Sequence, residues 1–382
     1  VRGSLGCPSA AEKKGERVDE RVHERVVIEE GRIPATLDGP DGASFREMVD
    51  VRNAVEAAAF GTDEYASTAE EILPGWLNST DGPRRLLLAR VDGRIVGRGV
   101  LDLPAEPGSP TAFVSAEVLP DFRDAGIGTA LLTRIEEWAT EADRTILKAF
   151  VTHGPFRGGR ALRPPTGFGR IDSDAPEVSF AQGRGYRLEQ VERMSRLDVA
   201  DTLPVLASVS AEVGARATGY TTLTVSGALP DEWLADMVVL QQRMSTDAPA
   251  GGLDVDEEVW DTDRVRRMES DRAAGGQLAL TTVARHDASG RLVAFTELLV
   301  PTDRGRPVLQ DSTLVLSEHR GHRLGMLVKA TNLLALRDAS PASTTVTTYN
   351  AEENRPMLSV NEALGFRPIG AEGGWRKDVS LP

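Results

Sequence analysis

Apolar residues recur at helical spacing over residues 44–60, where Phe45, Met48, Val49, Val55, Ala59 and Phe60 share a face. Ser44 followed by Glu47 reads as a capping box at its start. Residues 85–101 then give two apolar runs joined by Asp92-Gly93, a pair that favours a two-residue hairpin turn. A third strand over 112–119 ends at Pro120 and leads through Arg123, Gly126 and Gly128 into a helix with Leu131, Leu132, Ile135, Trp138 and Ala139 inside. The same order returns later in the chain. A helix over 230–244 precedes a hairpin of strands 278–284 and 292–300, a strand over 312–316, and a helix over 326–337 reached through Arg320, Gly321 and Gly325.

This is internal duplication of a long unit. Each copy closes on a similar phrase, Gly185-Tyr186-Arg187 in the first and Gly365-Phe366-Arg367 in the second. Arg123 to Tyr186 spans 63 residues and Arg320 to Phe366 spans 46, so the first copy carries 17 more. The surplus falls in 153–176, a run rich in glycine, proline and arginine that excludes a helix or central strand. It is either a surface excursion or a loop reaching over a ligand. The expected division is a loose tail at 1–22, a first domain at 23–199 and a second at 200–382.

Composition narrows the function. Hydrophobic residues make up 40% and charged residues 27% of the 382, so each copy can bury a core. The formal net charge of −14 disfavours nucleic acid and anionic membrane as partners, and is compatible with a cationic substrate. Cys7 is the only cysteine, which excludes an intramolecular disulfide and a thiolate metal cluster. No long apolar run or signal-like segment occurs, and a cytoplasmic setting is expected. No His, Asp and Glu spacing suggests a metal site.

The candidate chemistry lies where strand meets helix. Glycines there let a ligand approach the backbone, the free N–H groups of the first helical turn point at it, and the helix dipole favours an anion such as a pyrophosphate. A Walker loop is excluded because neither turn carries Gly-Lys-Ser/Thr. A dinucleotide fingerprint is excluded because the third glycine is missing after Gly126-Ile127-Gly128.

Val118-Leu119-Pro120 followed by Arg123-Asp124-Ala125-Gly126-Ile127-Gly128 resembles the acyl-CoA loop of the GNAT superfamily of N-acetyltransferases. Arg320-Gly321-His322-Arg323-Leu324-Gly325 is similar, with Arg323 in place of the first glycine. The run from Thr348 through Asn354 and Asn361 to Phe366 looks like the family's C-terminal motif. The resemblance covers nearly the whole chain from about Val26, and the chain is similar to tandem, mycothiol-synthase-like members. It implies an α/β (α+β) fold of two tandem GNAT acyl-CoA N-acyltransferase domains, each a mixed, mostly antiparallel sheet with flanking helices.

The resemblance also implies a mechanism, in which a small-molecule amine attacks the thioester of acetyl-CoA directly, without a metal. The CoA-binding positions would be Val118, Arg123, Asp124, Ala125, Gly126, Ile127, Gly128 and Thr129, then Val315, Arg320, Gly321, His322, Arg323, Leu324, Gly325 and Met326. Asn354 keeps a family asparagine. Where many members place a proton-donating tyrosine, this sequence has Ala181 and Asn361. The family's acidic base position points to Asp311, with Glu297 on the neighbouring strand second; in the first half Val114 and Ser115 fall at that position and only Glu117 is nearby. The second half, with the better-placed carboxylate, is favoured for acetyl transfer, and the first for CoA binding. A non-catalytic acyl-CoA sensor and an enzyme acting on a protein amine are the alternatives. The oligomeric state is left open.

Overall fold

The computed structural model describes residues 26–381; the expected tail at 1–22 and Cys7 lie outside them. In chain order the elements are β1 (Val26–Gly31), α1 (Gly42–Phe60), α2 (Ala69–Leu77), β2 (Arg84–Val91), β3 (Arg94–Asp102), β4 (Thr111–Val118), α3 (Ile127–Glu141), β5 (Ile146–His153), β6 (Ala161–Leu162), β7 (Ile171–Asp172), α4 (Pro176–Gly183) and β8 (Arg187–Asp198). The second half adds α5 (Val199–Arg216), β9 (Tyr220–Ser226), α6 (Leu234–Asp247), α7 (Thr262–Ala274), β10 (Leu278–His286), β11 (Leu292–Val300), β12 (Val308–Val315), α8 (Leu324–Ala339), β13 (Thr345–Ala351), α9 (Arg355–Leu364) and β14 (Arg367–Asp378). This is the expected mixed, mostly antiparallel architecture, with the helix, hairpin, strand, turn and helix order present twice.

Local chemistry explains several elements. Asp92 and Gly93 both take left-handed backbone angles, φ 50° and 85°, and close the β2–β3 hairpin with a primed turn. The start of α1 differs from expectation. Ser44 lies inside the helix, its hydroxyl accepts from Arg90, and Glu47 accepts from the Ile95 N–H. The helix begins instead at Gly42, where any side chain would run into the Leu37 carbonyl. A complete capping box is found at α2, between Thr68 and Glu71.

All the long strands join one 12-stranded sheet, ordered β1-β2-β3-β4-β5-β14-β8-β13-β12-β11-β10-β9. Its centre is an exchange. The closing strand of the first half, β8, pairs with β13 of the second, while the closing strand of the second half, β14, pairs with β5 of the first. The two closing strands also pair with each other. The cores follow the exchange: Trp375 of β14 is fully buried in the first-half core and Leu197 of β8 in a second-half core. Burying an indole that fixes a strand contributes on the order of 3 kcal/mol, so the exchange is held by packing as well as by backbone hydrogen bonds.

Candidate active site

Each half opens its sheet at the same place. Strand β4 pairs in parallel with β5 only through Thr111, Ala112 and Phe113, and β12 pairs with β13 only through Val308 and Leu309. Beyond those residues the parallel neighbours separate, leaving a gap that ends at the glycine turn.

The two turns share one backbone shape. Arg123 Nε donates to the Val118 carbonyl at 3.2 Å, and Arg320 Nε to the Val315 carbonyl at 3.1 Å. Asp124 (φ 61°) and Gly126 (φ 74°) are left-handed, as are Gly321 (φ 84°) and Arg323 (φ 61°). The residue preceding each helix, Gly126 or Arg323, offers no side-chain cap, so the first N–H groups of α3 and α8 stay open to a ligand. Arg323 adopts an angle that costs a non-glycine residue about 1 kcal/mol, and the second turn nevertheless keeps its form.

In the first half the gap widens into a cavity of about 1190 Å³. Arg123, Asp124, Gly126, Gly128 and Thr129 line one end, with Val118 beside them. Ala125 and Ile127 are buried beneath the turn. Glu56, Glu117, Glu192, Glu372 and Tyr349 line the cavity as well. Glu117 is held by two arms of Arg98, at 2.9 and 2.7 Å, and Glu56 by Arg52 at 2.7 Å. Burial nonetheless pushes the Glu56 carboxyl up. Glu192 and Glu372 have no ion pair or hydrogen bond from a side chain among the described residues, and burial raises both, Glu372 to about 8. Burial also raises the Tyr349 phenol, with Glu372 adding to the rise, so the phenol stays protonated.

The second half treats its carboxylates differently. Arg272 spans Glu297 at 2.7 Å and Asp311 at 2.9 Å, and Thr281 donates to the other Glu297 oxygen at 3.1 Å. Glu297 is 3% exposed; burial raises its carboxyl and Arg272 opposes the rise. The structure thus brings Asp311 and Glu297 together on one guanidinium, beside the strands that carry them. His319 bonds the Tyr220 hydroxyl at 2.9 Å, and His322 packs against the same ring. Leu324 is buried, and Met326 packs against second-half cores. Asn354 caps α9, its side chain accepting from the Met357 N–H.

Sequence reasoning missed Glu56, Glu192, Tyr349 and Glu372. Tyr349 and Glu372 belong to the second half by sequence and reach the first-half cavity only through the strand exchange. The excursion 153–176 is anchored where it leaves and rejoins the cavity wall, by a 3.0 Å contact between His153 and Glu177. Arg160 is engaged by Asp174, and Arg170 lies over Phe156.

Residues 48–154 match the Acetyltransferase (GNAT) family, a span that contains β4, the first turn and α3. A tandem GNAT protein from the clavulanic acid biosynthesis pathway, solved without AcCoA, is 28% identical, with a TM-score of 0.72 over 94% of this chain and 99% of that one. The first half carries a GNAT domain, and the chain as a whole is similar to a tandem GNAT protein. The protein is a GNAT N-acyltransferase that draws on an acyl-CoA donor. The GNAT fold is shared with a GCN5-related N-acetyltransferase from Sphaerobacter thermophilus, at 16% identity and TM-score 0.58 over 93% and 96% of the two chains. A putative acetyltransferase from Pyrococcus horikoshii shares it too, at 13% identity and TM-score 0.53 over 97% and 94%. No curated protein matches the sequence of this GNAT chain. Among its described residues no helix is long and apolar enough to cross a membrane, and no group of three or more His, Cys, Asp and Glu is placed to hold a metal ion.

Proposed function

We propose that this enzyme transfers an acetyl group from acetyl-CoA to the primary amine of a small molecule, and that transfer takes place in the first-half cavity. The observation that carries this reading is the continuity of the cavity, which joins an uncapped, glycine-lined helix terminus to a group of carboxylates. The N–H groups of that terminus suit the CoA pyrophosphate, and the gap between β4 and β5 suits the pantetheine arm. An ammonium is drawn to the carboxylates, and holding it beside a thioester turns a bimolecular encounter into a positioned one. The second-half carboxylates are committed to Arg272, which supports a buttressing role for that half.

The test is release of free CoA thiol from acetyl-CoA over a panel of primary amines, beside calorimetric binding of acetyl-CoA. Turnover with small amines is expected. CoA binding without turnover on any small amine would overturn the reading, and turnover only on protein amines would replace the acceptor class.

A further inference from the structure

We propose that Glu192 of β8 and Glu372 of β14, opposed across the seam where the halves exchange their closing strands, form a carboxyl pair that holds the acceptor's ammonium group and takes its proton. The inference rests on the reading of the cavity as the transfer site and names a group within it.

The geometry comes from sheet register. Glu192 and Glu372 are direct partners in the β8–β14 pairing, so their Cβ atoms stand about 5 Å apart on one face. Both line the cavity that begins at the glycine turn. Like charges opposed in this way oppose folding, and neither side chain is offered a cation. Arg52 of α1, which lines the cavity, pairs with Glu56, and Arg98 of β3 pairs with Glu117. Around the pair stand Tyr349 of β13 and Glu56 of α1, with Glu353, which accepts from Gln190, close to Glu192. Each of these groups is neutral or negative. Thr152 is the β5 partner of Glu372 and adds no charge.

A site that lacks only a cation, at one wall of an acyl-CoA cavity, fits a primary ammonium. Burial raises both carboxyls, with Glu353 adding to the rise at Glu192 and Glu192 and Glu56 adding to it at Glu372, and this makes the pair a base near neutral pH. The pair takes one proton from R–NH3+, freeing the lone pair of R–NH2 to attack the thioester carbonyl carbon. A C–N bond forms and the C–S bond breaks. The second proton lost by nitrogen goes to the departing thiolate, giving CoA thiol and the amide, and the pair returns its proton to solvent. The residues come from β8 and β14, so neither half builds this base alone.

The experiment follows glutamate carboxyl carbons by 13C NMR across a pH titration of the full chain, wild type against Glu372→Gln and Glu192→Gln. The probes are butylamine, 1,4-diaminobutane and glucosamine. In the wild type one carboxyl should titrate near 8. That signal should vanish in Glu372→Gln, shift down by about one unit in Glu192→Gln, and shift down in the wild type when an amine from the panel is added. Turnover in Glu372→Gln should fall at least about tenfold while acetyl-CoA affinity stays within about twofold. Absence of any glutamate titrating above about 6, or a midpoint that no amine moves, would overturn the proposal. Calorimetry with acetyl-CoA on the same samples separates the two readings. Loss of binding in the wild type sinks the cavity assignment itself, whereas intact binding with a silent carboxyl sinks only the pair.

Discussion

Replacing Glu372 by glutamine keeps shape and volume and removes one ionisable group from the seam. The folded carboxyl titrates at about 8 against an ordinary 4.5, because burial and the facing Glu192 and Glu56 penalise its charge. A group raised in this way contributes fully to stability below its unfolded pKa, and that contribution is lost as pH rises to the folded value. The difference amounts to about 4–5 kcal/mol once fully developed, an upper figure because the cavity admits water. Urea denaturation from about pH 5 to about pH 9 measures it. The wild type should lose stability steadily across this window, and Glu372→Gln should lose much less. The two proteins should agree near the acid end and differ by about 2–4 kcal/mol at the alkaline end, with the variant more stable. Parallel curves would refute the reasoning, because they would mean that Glu372 is solvated or paired.

Two further substitutions probe the second half. Arg272→Met leaves Glu297 buried beside Asp311 without a cation and should cost about 3–5 kcal/mol in urea denaturation near neutral pH, with part recovered in acid where Glu297 protonates; a loss within measurement error would mean that the bridge holds nothing. Lys329 of α8 is 1% exposed, rests over Phe366, and is lowered to about 7 by burial. Its cost is full below that value and is relieved as pH rises toward 10.5, the opposite sense to Glu372. Lys329→Met should therefore stabilise the protein by on the order of 3 kcal/mol near pH 6 and by much less near pH 10, read from thermal or urea melts.

The parts of the fold legible in the sequence are those whose cause is local. Asp92-Gly93 predicts its hairpin because the turn needs two left-handed residues, and the turns around Gly126 and Gly325 are found because they interrupt an apolar strand before an apolar helix. Ser44 and Glu47 satisfy the spacing of a capping box, but Gly42 and the Leu37 carbonyl set the start of the helix. The exchange of β8 and β14 is invisible to local pattern, since a strand's alternation shows its faces and not its neighbour. The same limit applies to the site. The loop residues are contiguous and readable, whereas Glu56, Glu192, Tyr349 and Glu372 come from four distant segments. The family resemblance points to Asp311 by its spacing and to Glu297 and Glu117 as carboxylates close by, but Arg98 and Arg272, which hold them, are visible only in three dimensions.

If acyl transfer belongs to the first half, the two glycine turns are unequal in function. Gly128→Glu places a carboxylate at the first turn, where a Cβ meets Phe180 and Val118 only at ordinary contact distances of 3.5 and 3.7 Å, so the backbone need not move. Gly325→Glu does the same at the second turn, with Val315 at 3.8 Å. CoA-thiol release from acetyl-CoA with a turned-over amine, compared between these two variants and the wild type, decides the matter. Gly128→Glu should abolish turnover and Gly325→Glu should retain most of it; full turnover in Gly128→Glu with loss in Gly325→Glu would place transfer in the second half instead.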